Sequence, residues 1–532
     1  MVELAFLSGI FSYLVFGLGI SFGVTGLSLL LPVSALAVGL VILFKANYKK
    51  IIDYFSQAIN DKKSLGIIGL ILLSALVNLI GALGPELGFD ALWYHLTLPK
   101  IYTIYRRIVF IPGNLLYYSA MPKLAEMFYL PAVFLNKEII AKLTHYLFGL
   151  FSALALYRLS SRYLKRPRAL LAVLVYYSSL VVGWQSITAY VDLFRAFFEI
   201  LALDLFLKWL EKEKTVDLIE SAVLLGLAVT TKLLATGSLV IFLAMIAWKL
   251  RHDPKKIISF SFIFAFFTFI IPLPWFIFSF VHTGNPFYPV FSGLLDKSHW
   301  FTGFDLKLFF KDFWQIFLLA QDPTLPAFLI SLPVLIFHRK KIMVEKKRVG
   351  FINLIFYCLM AYVVWYFLPR TGGGRFILPY LPAFSLLTVY GYTLIEQKSA
   401  KNIYLFFLFF ICLVNISYRL IANKKYLPVI LGKQAKNEFL KNNLNFEFGD
   451  FLDIDGFFNK TIKNEDLVLV SGVHNLYYLN FNFVHESWAE KSLQTKYILT
   501  RYQSGETDER YYGKKIIYQN PVTNVKLYSA EE

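Results

Sequence analysis

The sequence predicts an all-α polytopic membrane protein of about thirteen transmembrane helices, with a small α/β domain at its C-terminal end. Three observations lead there. Of the 532 residues 57% are apolar and only 17% charged, with mean hydropathy +0.57, whereas soluble globular chains average roughly 25% charged residues. Apolar stretches of about 20 residues, enough to cross the hydrocarbon core, recur as far as residue 420. After Arg419 the chain turns to Lys, Asn, Glu, Asp and Tyr.

The predicted spans lie near 4–23, 26–45, 64–83, 138–157, 168–187, 190–209, 217–231, 233–250, 257–280, 324–338, 350–368, 376–394 and 402–420. The N-terminus, MVELAFLSGI, lacks a basic region and a small-residue cleavage site, so it reads as the first span and not as a cleaved signal. Basic loops set the orientation. Lys45, Lys49, Lys50, Lys62 and Lys63 precede the third span, and Arg158, Arg162, Lys165, Arg166 and Arg168 follow the fourth. Lys249, Arg251, Lys255 and Lys256, then Arg339, Lys340, Lys341, Lys346, Lys347 and Arg348, fall on the same side by span count. Positive-inside makes that side cytoplasmic, together with the N-terminus, in a plasma membrane. The first long loop (84–137), the 281–323 loop, the Arg370–Arg375 loop and the tail then face outward.

The net charge of +18, from 53 basic and 35 acidic residues, would suggest nucleic acid in a soluble chain. Here the excess sits in membrane-flanking loops, which excludes that partner. The two cysteines, Cys358 and Cys412, lie inside apolar spans, so no disulfide framework or thiolate metal site is expected in the exposed parts. A divalent metal is conceivable, but no His/Cys/Asp spacing supports one, and no cofactor is expected. The tail, 423–532, holds the strand-length runs DLVLVSG (466–472), KYILTR (496–501) and KKIIYQ (514–519), and a helical stretch at 433–444. It reads as an extracytoplasmic α/β domain following a membrane domain of residues 1–422.

The first outer loop carries the densest chemistry, GPELGFDALWYHLTLPKIYTIYRRIVFIPGNLLYYSAMPK (84–123). Phe89, Leu92, Trp93 and Leu96 recur at helical spacing, with Asp90, Tyr94 and Thr97 on another face. That predicts a short amphipathic helix at the membrane surface, ended or kinked by Pro99. Asp90 could take a proton from an acceptor hydroxyl; its alternatives are a helix cap or a solvated interfacial charge. Glu86 could share the site, raise Asp90's pKa as a like charge, or sit in solvent. His95 could donate to a phosphate, or be a structural residue between aromatic rings. The apolar segment 122–135, bracketed by Pro122 and Pro131, reads as a re-entrant or interfacial helix.

Further on, Asp192 opens a span on the outer side, with Arg195 and Glu199 spaced to pair with each other at i, i+4. Lys232, in GLAVTTK, could hold a phosphate as a point charge or snorkel to the headgroups. His282, Asn285 and Tyr288 sit in an outer turn around TGNP. Arg370 and Arg375 flank three glycines and could clamp a phosphate; otherwise the loop is flexible and its arginines snorkel.

Five stretches together resemble the GT-C class of integral-membrane glycosyltransferases: GFDALWYHLTLPKIY, AYVDLFRAFFE, GLAVTTK, PWFIFSFVHTGNPFYP and GGGRFILPYLPAFSLL. More narrowly they are similar to bacterial and archaeal relatives of the dolichyl-phosphate-mannose protein mannosyltransferases and the aminoarabinose transferases. The resemblance implies a polyprenyl-phosphate-linked sugar donor, a lipid, glycan or protein acceptor, and catalysis on the outer face. It implies Asp90 as general base, Lys232 on the donor phosphate, and Arg375 and Pro379 as the family's RxxxP start to a late span. Ala91 stands where the mannosyltransferases carry a second acid, and two spans precede the one leading into the loop, so the acceptor stays open. A flippase for lipid-linked sugar, a surface-polysaccharide polymerase or ligase, and a noncatalytic polymer-binding scaffold are the rival readings.

Overall fold

The computed structural model describes residues 1–59, 61–293, 303–319, 323–344, 349–368, 370–490, 492–501 and 513–530. Three long helices open the chain: α1 (Val2–Ser21), α2 (Gly26–Ile59) and α3 (Lys62–Ala82). The first loop then contributes a π-turn at Ala91–His95, α4 (Thr97–Ile104) and α5 (Leu124–Phe134). A bundle follows: α6 (Glu138–Ser161), α7 (Arg166–Tyr177), α8 (Leu180–Gln185), α9 (Asp192–Lys212), α10 (Thr215–Thr231) and α11 (Thr236–Lys249). Next come α12 (Pro254–Ile270), α13 (Leu273–Thr283), α14 (Leu306–Trp314), α15 (Pro326–Phe337), α16 (Arg339–Val344), α17 (Val349–Phe367), α18 (Leu381–Leu394) and α19 (Lys398–Asn423).

Among the described residues seven helices are long and apolar enough to cross a membrane, or eight if the bent pair α12–α13, at 64°, is one span. The multi-pass character expected from the sequence therefore stands, but the count of thirteen does not follow from helix length and apolarity. Several expected spans are short or broken. The stretch at 168–187 splits into α7 and α8 at Ser178 and Ser179, and α18 is preceded by a 3₁₀ segment, Arg370–Tyr380.

Helix α9 is the buried centre, packed against α6 and α10. Its apolar rings bury almost all round, which explains why it tolerates Arg195 and Glu199 only as a closed pair. Arg195 Nε lies 2.5 Å from Glu199 Oε1, both fully buried; Ser238 donates to Glu199 and Arg195 Nη2 to the Tyr380 hydroxyl, while Arg195 Nη1 has no hydrogen-bond partner among the described residues. This is the internal i, i+4 pair that the spacing suggested.

After α19 the chain forms α20 (Leu427–Ile430), α21 (Lys436–Asn443), α22 (Phe457–Thr461) and a five-stranded mixed sheet. Its strands are β1 (Val468–Ser471), β2 (Phe483–His485), β3 (Tyr497–Arg501), β4 (Ile516–Asn520) and β5 (Val525–Ser529), in the order β2-β1-β3-β5-β4. β1 runs parallel to β2 and β3, while β5 is antiparallel to β3 and β4. Its inner face (Val468, Val470, Leu499, Leu527) joins one apolar cluster with Tyr94, Leu98, Ile101 and Leu116 of the first loop. The C-terminal part is thus seated on that loop.

Three local expectations are corrected. The amphipathic helix at 89–97 is not a surface helix, because Ala91, Leu92, Tyr94, His95 and Leu96 are all buried beneath neighbouring elements. Pro99 neither ends nor kinks it. It occupies the first turn of α4, where its missing N–H would have had no helical partner. Thr97 does not share Asp90's face either: its hydroxyl donates to the Leu92 carbonyl, 2.6 Å away, across the helix junction. Helix α5 is buried on nearly every side, as its apolar composition demands once α1, α4 and α6 enclose it.

Candidate active site

Four charged side chains from four distant stretches meet where the first loop lies over the helix ends. Asp90 precedes the π-turn, Asp192 opens α9, Lys232 terminates α10 and Arg375 lies in the 3₁₀ segment. Local backbone aims each of them. Lys232 leaves α10 in an extended conformation (φ −155°, ψ 121°), which turns its ammonium out of the helix and toward Asp192. Gly373, at φ +49°, breaks the 3₁₀ segment two residues before Arg375, a conformation that a side chain would strain.

The charges form an alternating chain. Arg375 Nη1 lies 2.6 Å from Asp90 Oδ2, and Lys232 Nζ lies 2.7 Å from Asp192 Oδ1. Arg375 Nε faces Asp192 Oδ2 at 3.7 Å, too far for a hydrogen bond. That buried N–H has no hydrogen-bond partner among the described residues. Aromatic rings flank the cations: Arg375 over Tyr190 (4.9 Å) and Lys232 over Phe376 (4.7 Å).

Asp90 is held on three sides. The Tyr94 hydroxyl donates to Oδ2 at 3.0 Å, and the Asp90 N–H donates to the Tyr190 hydroxyl at 3.2 Å. Burial works to raise the Asp90 carboxyl, but the Arg375 guanidinium, with His95 and Lys232 adding to it, outweighs burial and holds the group below the usual carboxylate range. The result is an ionised, oriented carboxylate.

The remaining sequence candidates lie elsewhere or serve other ends. His95 does not face a phosphate site. Its Nδ1 sits 2.7 Å from Glu126 Oε1, with both side chains buried, and its ring backs Tyr94 at 4.2 Å. Glu86 is neither solvated nor paired with Asp90. It is fully buried and accepts from the N–H groups of Leu87 (2.9 Å), Gly88 (2.6 Å) and Ala189 (2.6 Å), stapling the loop to the segment before α9. His282 and Asn285 are tied into their own turn, through the Phe278 carbonyl and through Val290 and Phe287. Among the described residues no contact joins either to the charge cluster. The side chain of Arg370, like Lys346 to Arg348, lies outside the described residues.

Tyr190, Tyr118 and His474 carry no signal in the sequence beyond being aromatic, yet they complete the surroundings. Tyr118 stacks on Tyr94 at 3.7 Å, with planes 9° apart. His474, from the C-terminal part, stacks on Phe89 (5.1 Å) and tilts against Trp93 (4.2 Å). It is held there by nearby clamps. Lys100 Nζ donates to the carbonyls of Tyr477 and Leu479, and the Tyr478 hydroxyl donates to the Glu86 carbonyl at 2.9 Å. Among the described residues no group of three His, Cys, Asp or Glu side chains is arranged to ligate a metal.

Residues 124–277 match the family model described as dolichyl-phosphate-mannose-protein mannosyltransferase. The fold is similar to that of ArnT from Cupriavidus metallidurans bound to undecaprenyl phosphate, with TM-score 0.59 and 13% identity over 87% of this chain and 98% of that one. The same protein in the apo state aligns with TM-score 0.57 and 13% identity, over 88% and 98%. A weaker likeness, TM-score 0.49 at 11% identity over 82% of this chain and 69% of the other, is to the archaeal oligosaccharyltransferase AglB from Archaeoglobus fulgidus. No curated protein sequence matches the chain. The chain is thus a multi-pass membrane protein whose fold is similar to that of ArnT. The match over residues 124–277 and the likeness of fold point the same way as the resemblance carried by the five sequence stretches.

Proposed function

We propose that the protein transfers a sugar from a polyprenyl-phosphate carrier to an acceptor hydroxyl on a lipid, glycan or protein, at the extracytoplasmic face of the plasma membrane. The observation that carries this is the convergence of Asp90, Arg375, Asp192 and Lys232 at the loop end of the bundle, with an Arg375 N–H left unmatched. The acceptor oxygen attacks the anomeric carbon as the bond from that carbon to the phosphate oxygen breaks. The acceptor proton passes to the Asp90 carboxylate, and the leaving phosphate takes the electron pair. Negative charge grows on the phosphate, and Arg375 and Lys232 are the cations positioned to meet it.

Asp192 keeps both cations in register while the phosphate competes with Asp90 for Arg375. A phosphate oxygen would also satisfy the buried Arg375 Nε–H, whose lack of a partner otherwise costs about 1–3 kcal/mol. Single displacement inverts the anomeric configuration, so a product of retained configuration would sink this mechanism. Residues 423–532 act on the same outer side, seated over the loop that presents Asp90. The test is a panel of radiolabelled polyprenyl-phosphate sugars offered to purified protein, wild type beside Asp90→Asn, following sugar release or transfer. Asp90-dependent turnover of one donor is expected. Donor binding followed by bilayer translocation, with no turnover, would favour a flippase instead.

A further inference from the structure

A basic cavity lies behind the Asp90 loop, and none of the four side chains of the charge cluster lines it. It encloses about 220 Å³ and is lined by Gly88, Trp184, Thr188, Arg419, Lys425 and Tyr426, among others. It lies beside the C-terminal end of α19. Along that helix Phe406, Phe410, Leu413 and Ile421 are exposed apolar residues, which in a membrane protein face lipid.

The cavity is built around its cations. Arg419 is buried and lies flat across Gly183, where a Cβ would meet its Cγ at 3.0 Å, Cδ at 3.1 Å and Nε at 3.2 Å. A side chain at position 183 would press on the Arg419 side chain and push it by a few tenths of an ångström. Asn423 fixes one end of it, accepting from Arg419 Nη2 at 3.1 Å while its own amide donates to the Val77 carbonyl at 2.8 Å. Lys425 adds a second charge, its ammonium 5.5 Å from the Tyr426 ring centre. Trp184 and Tyr426 supply the amphipathic rings that favour the headgroup level. On the orientation proposed above, Arg419, Lys424 and Lys425 stand on the outer side, against the positive-inside tendency, so a local role is needed to explain them.

We infer that this cavity binds the phosphate of an anionic phospholipid headgroup from the outer leaflet, with Arg419 and Lys425 as its ligands and the acyl chains running along α19. The bound phosphate lies beside Gly88, two residues before Asp90, so the lipid braces the backbone that presents the carboxylate. The inference does not depend on glycosyl transfer, because binding can be read without turnover.

The experiment uses the full-length protein in detergent, titrated with phosphatidylglycerol, phosphatidylcholine or inorganic phosphate, and read by native mass spectrometry and thermal shift. Wild type is expected to retain phosphatidylglycerol and to gain thermal stability from it, but not from the other two. Each charge removed (Lys425→Gln, Arg419→Gln) is expected to weaken retention about fivefold, and Gly183→Ala to do so by displacing the guanidinium. Lys425 is exposed, so its variant folds whatever happens at Arg419. Undiminished retention by Lys425→Gln, or equal binding of phosphatidylcholine, would overturn the assignment. An equal shift from inorganic phosphate alone would overturn the lipid as its source.

Discussion

Replacing Asp90 with Asn separates chemistry from binding, because the structure gives the carboxylate two opposed roles. As a base it takes the acceptor proton, and losing a positioned base costs about a hundredfold to ten-thousandfold in rate. As a partner it neutralises Arg375 at 2.6 Å and so competes with the donor phosphate. The side-chain amide is isosteric and still offers an oxygen to Arg375 and to the Tyr94 hydroxyl, so the fold survives. What is lost is the charge-assisted part of a contact worth about 1.5–3 kcal/mol. Since 1.4 kcal/mol corresponds to tenfold, donor affinity rises by up to about tenfold while turnover collapses. Equilibrium binding of labelled donor gives the first quantity, and single-turnover release of its sugar gives the second. Wild-type turnover by Asp90→Asn, or loss of donor binding with turnover intact, would refute the assignment.

The pH profile follows from the same pair. With the Asp90 carboxyl held below the usual carboxylate range, its acid limb should also lie below that range, and Arg375→Gln should move the limb of the residual rate upward as burial then dominates. The sign for stability agrees: the depressed carboxyl contributes above its unfolded value, about 3.9, and that contribution is lost as pH falls through the folded value. Lys232→Met should weaken donor binding and leave Asp90 in place, measured as a rise in donor Kd with the acid limb moved upward by less than in Arg375→Gln. Lys100→Met should leave the Tyr477 and Leu479 carbonyls without their donor, at about 1–3 kcal/mol each, and loosen the C-terminal part as read by limited proteolysis. Gly113→Ala should give the same phenotype, since a Cβ there would stand 1.8 Å from the Ser487 carbonyl oxygen. Glu199→Gln strands the buried Arg195 charge and should lower the Tm in detergent, by about 3–5 kcal/mol of stability, without changing donor affinity.

Composition and span length alone determined that this chain lives in a bilayer, because no soluble core could absorb so much apolar surface. The motif around Asp90, the lysine ending GLAVTTK and the arginine after GGG were legible too, since ionisable groups beside apolar spans are costly and therefore few. The i, i+4 spacing of Arg195 and Glu199 announced their pairing, a contact made within one helix. Contacts between elements were not legible. Nothing in the sequence says that Arg375 reaches Asp90 across a separation of 285 residues, or that His95 turns to Glu126 instead of toward the cluster. Glu86 looked like a second site acid until three backbone N–H groups closed around it. The span count of about thirteen goes beyond what helix length and apolarity carry, for a related reason. Helices buried inside a bundle need not be long or uniformly apolar, because neighbouring helices replace lipid as their surroundings and satisfy their polar groups. Periodicity reports which face of an element is apolar, whereas the partner that covers that face, and the charges gathered between elements, are decided only when the whole chain packs.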